Sequence, residues 1–368
     1  AVVVVFMHNI PYKWFQVFPV FLLPLSVVLL ALVMMMERIN GAARWMTFMG
    51  VQFQPSEVAK MAVIIVTAFI LSKGQDEDGA SPKAFKRIMI ITGVICLLIA
   101  PENLSTAALL FGVVYLMMFI GRVAMKKLLI LAGGLAGVAI IGVTFLVLTK
   151  NSDLPFLHRF DTWRARIEKF TNDNEVPAAK FDIDKDAQIA HARIAVATSH
   201  VVGKGPGNSV QRDFLSQAFS DFIFAIIIEE LGLIGGAFVV FLYVCLLIRV
   251  GRIAKKCERT FPAFLIIGIA LLLVSQAIFN MMVAVGLAPV TGQPLPLISK
   301  GGTSTLINCA YIGMILSVSR YTARLEEQKE HDALIPMQVE VPAEETNSDA
   351  QTAAEPTAKV LNSDAEFE

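Results

Sequence analysis

The sequence is short of charge and of cysteine. Only 17% of its 368 residues are charged, 55% are hydrophobic, and the mean hydropathy is +0.64. This balance excludes a water-soluble globular domain and is typical of helical membrane proteins. The four cysteines form no Cys-x-x-Cys pair and no spacing typical of metal ligands. We therefore expect structural thiols rather than a zinc site or a disulfide framework.

Other signatures are missing as well. No internal repeat is recognisable, which argues against the inverted halves of many transporters. The chain does not start with Met, and its first residues, AVVVVFM, are apolar without the positive region that opens a signal peptide. We expect the chain to begin inside a transmembrane helix. The glycine-rich loop GKGPGNSVQ (203–211) lacks the Walker spacing of a nucleotide site, although its glycines and Lys204 weakly indicate anion binding.

Long apolar runs are abundant. A membrane-spanning helix needs about 20 mostly apolar residues, and the recurring runs predict an all-α polytopic membrane protein. Two of the runs are short and are separated only by the residues PENL, so we predict a tight helical hairpin that turns at Pro101. The predicted spans are 15–36, 56–72, 88–100, 105–121, 128–148, 222–248, 262–286 and 303–320, with the remnant of a span at 1–8.

Basic residues concentrate in alternate loops. The loops 73–87, 121–127 and 249–261 carry four, three and five Lys or Arg residues. Cytoplasmic loops hold the excess of Lys and Arg in membrane proteins, so these three loops and the C-terminus are predicted to be cytoplasmic. The polar segment 149–221 is then predicted to be a large extracytoplasmic loop.

The C-terminal end of the chain is acidic. Residues 325–368 contain twelve Asp or Glu and two Lys, a net charge of −10. The segment is also poor in aromatic residues, which is typical of disorder. We predict a transmembrane domain over residues 1–322 and a disordered acidic cytoplasmic tail over residues 323–368.

Acidic residues occur where an apolar run makes them costly. Asp221 directly precedes the run FIFAIIIEELG, and Glu229 and Glu230 lie inside it. Charges at membrane depth are expensive and usually have a pairing or functional reason. Asp221 is interpreted as a helix cap or as a reactive group. Glu229 and Glu230 lie roughly 12 to 14 Å deeper along a helix axis, and we expect their roles to be packing or polar contacts between helices.

Two further stretches combine polar or irregular sequence with an apolar setting. Glu57 and Lys60 lie three residues apart just after Pro55, which suits the first turn of a helix, so they form either an ion pair at a helix start or part of a site. The Pro/Gly segment (286–304) contains three prolines and four glycines between apolar runs. Irregular backbone at membrane depth is tolerated where it lines a cavity or is buried in protein. This segment is therefore the best compositional indicator of a site.

Two stretches of the predicted outer face have simpler interpretations. Glu102 is expected to cap the helix that follows it. Residues 187–197 predict an amphipathic helix on the membrane surface, with Gln188, His191 and Arg193 among its polar residues. Neither stretch indicates a particular chemistry by itself.

Five stretches together resemble a known family. They match the SEDS family (shape, elongation, division and sporulation), membrane glycosyltransferases that polymerise peptidoglycan, over about residues 1–322. The residues GNSVQ resemble the division branch more than the elongation branch. The chain departs from the family at Phe219–Ser220, where the family has His–Thr, and at Lys300, where it has Tyr. The matching stretches, in chain order, are GAARW, FQPSEVAK, GKGPGNSVQ, SDFIFAIIIEELGLIG and PVTGQPLPLISKGGTS.

The resemblance implies a fold and a reaction. The fold is a ten-span SEDS-type helical bundle, of which this chain is expected to lack the first span and part of the second. In the reaction, the 4-hydroxyl of one lipid II attacks the anomeric carbon of another at the outer membrane face, and undecaprenyl pyrophosphate leaves. Asp221 is the implied general base. The implied substrate-binding residues are Arg44, Glu57, Lys60, Gln188, Lys204, Asn208, Ser209, Gln211, Ser299, Lys300, Gly301, Gly302 and Ser304, among which the four cationic side chains are expected to hold the pyrophosphate.

The resemblance also implies a setting and partners. The protein is expected in the bacterial cytoplasmic (inner) membrane with its active site facing outward, beside a class B penicillin-binding protein (a transpeptidase) and other divisome membrane proteins. No nucleic-acid partner is expected. A divalent cation, Mg²⁺ or Mn²⁺, is an expected helper that no ligand cluster in the sequence requires. Two other functions stay open: a lipid II flippase, which needs charges along a route through the membrane, and a non-enzymatic scaffold, which does not need Asp221.

Overall fold

The structure is a computed structural model, and it describes residues 1–35, 46–48, 51–76, 79–148, 183–215 and 218–339. Helices dominate this part of the chain. They are α1 (Val2–Asn9), α2 (Phe18–Met35), α3 (Pro55–Lys73), α4 (Pro82–Ile99), α5 (Leu104–Ile120), α6 (Met125–Leu148), α7 (Ile183–Ala197), α8 (Ile223–Lys256), α9 (Thr260–Ala284) and α10 (Gly302–Val339). Short 3₁₀-helices cover Tyr12–Gln16 and Gln211–Phe214. Two small antiparallel hairpins pair Met46–Phe48 with Val51–Phe53 and Gln75–Asp76 with Gly79–Ala80.

The helices have the length and apolarity that membrane spans require. Among the described residues, six helices meet both criteria, namely α2, α3, α6, α8, α9 and α10, and α5 is a shorter apolar helix. The predicted class, an all-α polytopic membrane protein, is confirmed. The predicted hairpin is also confirmed, because α4 ends at Ile99, α5 begins at Leu104, and the two helices pack against each other.

Helices α3 and α9 form the centre of the bundle. In an apolar stretch of 18 residues taken from each helix, 78% of the residues of α3 and 61% of those of α9 are buried, compared with 22% in α2 and in α8. Helix α3 contacts α2, α4, α5 and α9, and an apolar helix that is covered on all sides needs no polar face. The polar side chains of Glu57, Lys60 and Thr67 on α3 and of Gln276 and Asn280 on α9 are consequently buried inside the protein.

The cap of α5 differs from the expected one. Asn103, rather than Glu102, occupies the N-cap position, and its side-chain oxygen accepts a hydrogen bond from the backbone N–H of Thr106 at 3.1 Å. Asparagine is among the preferred N-cap residues because its short side chain reaches back to the first turn. The prediction for Glu102 was wrong by one residue.

The chain divides into two compact units, Ala1–Arg324 and Leu325–Glu368. The first unit contains the apolar core and all of the elements discussed below. In the second unit, the described residues up to Val339 are helical. The rest of the predicted acidic tail, 340–368, lies outside the described residues, as does 149–182 of the predicted extracytoplasmic loop.

Candidate active site

Asp221 lies in a turn directly before helix α8. The helix begins at Ile223, and its N-cap position is held by Phe222, which makes no side-chain capping bond. Asp221 is partly exposed, and its carboxylate oxygen Oδ1 accepts a hydrogen bond from the Ser220 hydroxyl at 3.1 Å. The carboxylate therefore stands at the junction of the turn and the helix rather than at the cap position.

Glu57 and Lys60 form a buried ion pair in the first turns of α3. The Lys60 amine lies 2.8 Å from Glu57 Oε1, and the two side chains are 0% and 3% exposed. The same amine donates to Gln276 Oε1 on α9 at 3.1 Å. The predicted ion pair is confirmed. A buried pair of this kind leaves Lys60 electrically compensated, so its charge is not available for an anionic substrate.

Two amide side chains of α9 hold the Pro/Gly segment against the bundle. Gln276 and Asn280 lie four residues apart, on one face of the helix. Gln276 Nε2 donates to the carbonyl of Pro294 at 3.1 Å. Asn280 Nδ2 donates to the carbonyls of Gln293 and Asp221, both at 2.8 Å. The Asn280 side chain therefore binds both the Pro/Gly segment and the turn that carries Asp221.

A third attachment reaches helix α5. Gln293 Nε2 donates to the Thr106 hydroxyl at 2.5 Å, and both residues are buried. On the other side, the Tyr243 hydroxyl of α8 donates to the carbonyl of Pro296. The irregular backbone of the Pro/Gly segment is thus hydrogen-bonded to several helices, which is the condition for non-helical backbone at membrane depth.

The end of the Pro/Gly segment touches the turn before Asp221. The Ser299 hydroxyl donates to the Ser220 carbonyl at 2.7 Å, and the Lys300 backbone N–H donates to the Phe219 carbonyl, also at 2.7 Å. The Leu295 N–H donates to Ser299 Oγ at 2.7 Å. The structure therefore brings Ser299 and Lys300 to the Asp221 turn.

Helix α10 begins beside the same turn. Gly301 and Gly302 precede its first bonds, and the Ser304 hydroxyl donates back to the Gly301 carbonyl at 2.9 Å. The Lys300 side chain is exposed, and no carboxylate among the described residues forms an ion pair with it. A helix N-terminus and an adjacent lysine both favour negative charge.

Glu229 organises the glycine-rich loop. Its side chain is fully buried and accepts hydrogen bonds from the Lys204 amine at 2.6 Å and the Ser209 hydroxyl at 2.5 Å. The backbone N–H groups of Val210 and Gln211 also donate to it, both at 3.3 Å. We expected packing or polar contacts between helices for Glu229; the expectation of polar contacts between helices was wrong, because its hydrogen-bond partners belong to the loop. Lys204 is consequently paired within the protein.

Helix α8 is broken at the point where the glycine-rich loop meets it. Gly232 has φ 72° and ψ −172°, a conformation outside the helix that favours glycine. A Cβ atom on Gly232 would collide with the carbonyl oxygen of Val201, and one on Gly203 would collide with the backbone of Gly232. The two glycines therefore permit the loop backbone to enter the break.

Backbone groups of the loop replace the helical bonds that are lost at this break. In an unbroken helix, Leu233 and Ile234 would donate to the carbonyls of Glu229 and Glu230. Instead, each of these four groups is bonded to a backbone group of residues 200–205, at the start of the loop. The bonds run from Leu233 N to His200 O (3.3 Å), Ile234 N to Val201 O (3.3 Å), Lys204 N to Glu229 O (3.0 Å) and Gly205 N to Glu230 O (2.8 Å).

Two of the remaining predicted residues, Asn208 and Gln211, lie in the same loop. Asn208 Nδ2 donates to the carbonyl of Lys204 at 3.0 Å. The side chain of Gln211 is hydrogen-bonded to His191 of α7 at 2.6 Å. Gln188 is partly buried on α7, and Arg44 lies outside the described residues. Apart from Arg44 and Gln188, the predicted residues fall into three groups: the Asp221 turn with the Pro/Gly segment, the loop around Glu229, and the buried pair on α3.

Sequence reasoning missed the amide residues that join these parts. Gln276, Asn280 and Gln293 are 2%, 1% and 3% exposed. The available signal was the spacing of Gln276 and Asn280 in an otherwise apolar run, since two amides four residues apart share one helical face. Asparagine and glutamine carry no charge, so a search for charges in apolar runs passes over them.

No metal site is built by the described side chains. In the described ranges, no group of three or more His, Cys, Asp or Glu residues comes together in a way that could hold a metal ion. Divalent cations such as Mg²⁺ require oxygen ligands at well-defined positions. These residues do not fit a protein-held cation, and we derive no step through one.

Most of the chain matches a known protein family. The family model described as "Cell cycle protein", named for FtsW, RodA and SpoVE, matches residues 1–324. The chain belongs to this family, the SEDS proteins. Family membership confirms the resemblance that the five sequence stretches indicated.

Two curated relatives show how far the similarity to other SEDS proteins extends. A protein of Geobacter sp. (strain M18) named "Probable peptidoglycan glycosyltransferase FtsW" is 34% identical over 282 residues, which cover 76% of this chain and 72% of the relative. A protein of Halomonas elongata with the same name is 32% identical over 337 residues, 89% of this chain and 80% of the relative. Both names are those of the division branch, in agreement with the sequence prediction.

Solved SEDS-type structures share the fold. A chain of a peptidoglycan synthase complex, from a study of the structural coordination of polymerization and crosslinking, matches with a TM-score of 0.68 and 25% identity, over 87% of this chain and 86% of that chain. The Thermus thermophilus rod shape determining protein RodA matches with a TM-score of 0.60 and 23% identity, over 87% of this chain and 83% of that chain. The predicted SEDS-type helical bundle is confirmed.

Proposed function

We propose that this protein is a peptidoglycan glycosyltransferase that polymerises lipid II at the outer face of the cytoplasmic membrane during cell division. The observation that carries the proposal is the Asp221 turn. Ser299 and Lys300, which directly precede the N-terminus of α10, donate hydrogen bonds to the Ser220 and Phe219 carbonyls of this turn, and the Lys300 side chain is exposed. The names of the curated relatives support the same activity.

In the proposed reaction, Asp221 is the general base. Its carboxylate takes the proton of the acceptor's 4-hydroxyl while that oxygen forms a bond to the anomeric carbon of the donor. The bond from the anomeric carbon to the pyrophosphate oxygen breaks, and its electron pair leaves with undecaprenyl pyrophosphate. Asp221 then releases the proton to water. General base catalysis of this kind typically contributes about 10²- to 10⁴-fold.

Lys300 is the residue best suited to the pyrophosphate. Among the lysines expected to hold the pyrophosphate, Lys60 is paired with Glu57 and Lys204 is paired with Glu229. Lys300 is exposed at the start of α10, where the backbone N–H groups of the first turn add to its positive charge. We assign the leaving group to this end of the site, and we assign Lys60 and Lys204 to holding the protein together.

We further propose that the protein works beside a transpeptidase. The structurally similar protein belongs to a peptidoglycan synthase complex. A class B penicillin-binding protein would cross-link the glycan strands that the present protein produces. Only 22% of the residues in an apolar 18-residue stretch of α8 are buried. The wide exposed apolar surface of this helix faces lipid or such a partner.

A polymerisation assay tests the proposal. The purified full chain is incubated with lipid II, alone and with its partner transpeptidase, and the products are separated by length. We expect glycan chains whose formation releases undecaprenyl pyrophosphate. A protein that transfers lipid II across vesicles without forming glycan would be a flippase, and one that only activates the transpeptidase would be a scaffold; either result would contradict the proposal.

A further inference from the structure

The turn that carries Asp221 is fixed through its backbone carbonyls. The carbonyls of Phe219, Ser220 and Asp221 accept hydrogen bonds from the Lys300 N–H at 2.7 Å, the Ser299 hydroxyl at 2.7 Å and Asn280 Nδ2 at 2.8 Å. Helix α8 does not use these carbonyls, because its first bonds return to Phe222. The position of the turn is therefore set by groups outside it.

Asn280 is the side chain that binds the Asp221 residue itself. It is 1% exposed, and both hydrogens of its Nδ2 group are engaged, one by the Asp221 carbonyl and one by the Gln293 carbonyl, each at 2.8 Å. The opposite amide orientation would place Oδ1 against two carbonyl oxygens, so the two acceptors determine which atom is nitrogen. Only a side chain with two donors at this reach can make both bonds.

The support behind Asn280 is rigid. One turn earlier on α9, Gln276 holds Pro294 and accepts a hydrogen bond from Lys60, which is paired with Glu57. These residues lie on α3 and α9, the two most buried spans. A loop residue that is bonded to such a framework can be held much more closely than one on a free loop.

We infer that Asn280 is a positioning residue for the proposed reaction. It touches neither substrate nor the reacting atoms; it acts by fixing the backbone of Asp221 so that the carboxylate meets the acceptor hydroxyl. The inference rests on the proposed role of Asp221 as general base. Catalytic groups must be held within about 0.5 Å of their productive place, and a displacement of about 1 Å can cost about 10²-fold in rate.

The inference is tested with Asn280→Leu, which keeps the size of the side chain and removes both donors. We expect kcat for lipid II polymerisation to fall by about 10- to 100-fold, with KM changed by less than about threefold, because the substrate contacts remain. Asn308→Leu is the matched control, since it makes the same change at a buried asparagine of α10. It should keep the parent kcat.

A double mutant separates positioning from a general structural role. In the Asp221→Asn background there is no base left to position, so adding Asn280→Leu should change the residual rate by less than about threefold. If the two effects multiply instead, Asn280 acts independently of Asp221 and the inference is wrong. A parent-like kcat for Asn280→Leu would also overturn it, while leaving the role of Asp221 intact.

A second variant keeps the test decisive if Asn280→Leu does not fold. Ser299→Ala removes the donor to the Ser220 carbonyl with the loss of a single oxygen atom. We expect the same pattern, a fall in kcat of about 10-fold that is lost in the Asp221→Asn background. If the effect of Ser299→Ala multiplies with that of Asp221→Asn, or if Ser299→Ala leaves kcat unchanged, the hydrogen bonds to this turn do not position Asp221. By contrast, full activity of Asp221→Asn alone would contradict the proposed function itself.

Discussion

At the scale of single residues, the structure separates lysines that are paired with buried glutamates from a lysine that is exposed beside the Asp221 turn. Lys60 and Lys204 were equivalent candidates in the sequence, yet each is paired with a buried glutamate. Lys300 and Asp221 remain at the surface of the same turn-and-loop assembly. The distinction depends on which carboxylate the fold brings near each lysine.

Glu229 is the residue whose loss should loosen the glycine-rich loop. Glu229→Gln removes the charge that holds Lys204 and weakens the bond to Ser209, and hydrogen bonds to charged groups contribute about 1.5–3 kcal/mol each. We expect lower thermal stability in detergent and faster hydrogen exchange over 203–211. The control is Glu230→Gln, since Glu230 lies 4.0 Å from its partner Arg212 and should contribute little. Equal effects of the two variants would contradict the assignment.

At the scale of elements, the break in α8 and the glycine-rich loop form one unit. The four backbone groups freed at Gly232 are all bonded to residues 200–205, so neither the break nor the loop position is stable without the other. The unit joins residues 200–205 to the span that follows the proposed base.

Gly232→Ala tests this unit. Alanine at φ 72° is strained, and its Cβ would collide with the Val201 carbonyl, so we expect a loss of at least about 1–3 kcal/mol in unfolding free energy. Gly251→Ala is the control in the same helix, because a Cβ there has nothing within 4 Å. It should be neutral or stabilising by about 0.5–1 kcal/mol. The measurement is thermal unfolding in detergent. Equal melting temperatures for the two variants would contradict the claim that the break at Gly232 and the loop contacts stabilise each other.

The elements also show what could be predicted from the sequence. The spans and the hairpin at Pro101 follow from runs of apolar residues, and the Glu57–Lys60 pair follows from helical spacing, because both are local patterns. The Lys204–Glu229 pair joins residues on either side of the Asp221 turn, and it exists only because the helix breaks at Gly232. The bonds of Asn280 depend likewise on the path of the Pro/Gly segment, which no local pattern specifies.

At the scale of the whole molecule, a reaction at the outer face requires one orientation of the protein in the membrane. The basic loops predict that 149–221 lies outside and that the C-terminus lies inside. The structure contains no membrane, so this orientation stays a prediction. It decides whether the Asp221 turn meets lipid II at the outer face.

Cysteine labelling tests the orientation. In a variant whose four native cysteines are replaced, a single cysteine at Asn174 should react with an impermeant maleimide added from the periplasmic side, and one at Asp349 should react only after the cells are opened. Both positions lie outside the described residues. The opposite pattern would reverse the topology and exclude a reaction at the outer face.

The most direct measurement of the central claim is the polymerisation rate of Asp221→Asn. Asparagine keeps the size of the side chain but cannot take a proton, so we expect the rate to fall by about two orders of magnitude or more, with folding and lipid II binding retained. Asp213→Asn is the matched control, because Asp213 precedes the same helix and its side chain is 76% exposed, and its rate should equal that of the parent. A well-folded Asp221→Asn protein that polymerises lipid II at the parent rate would contradict the account.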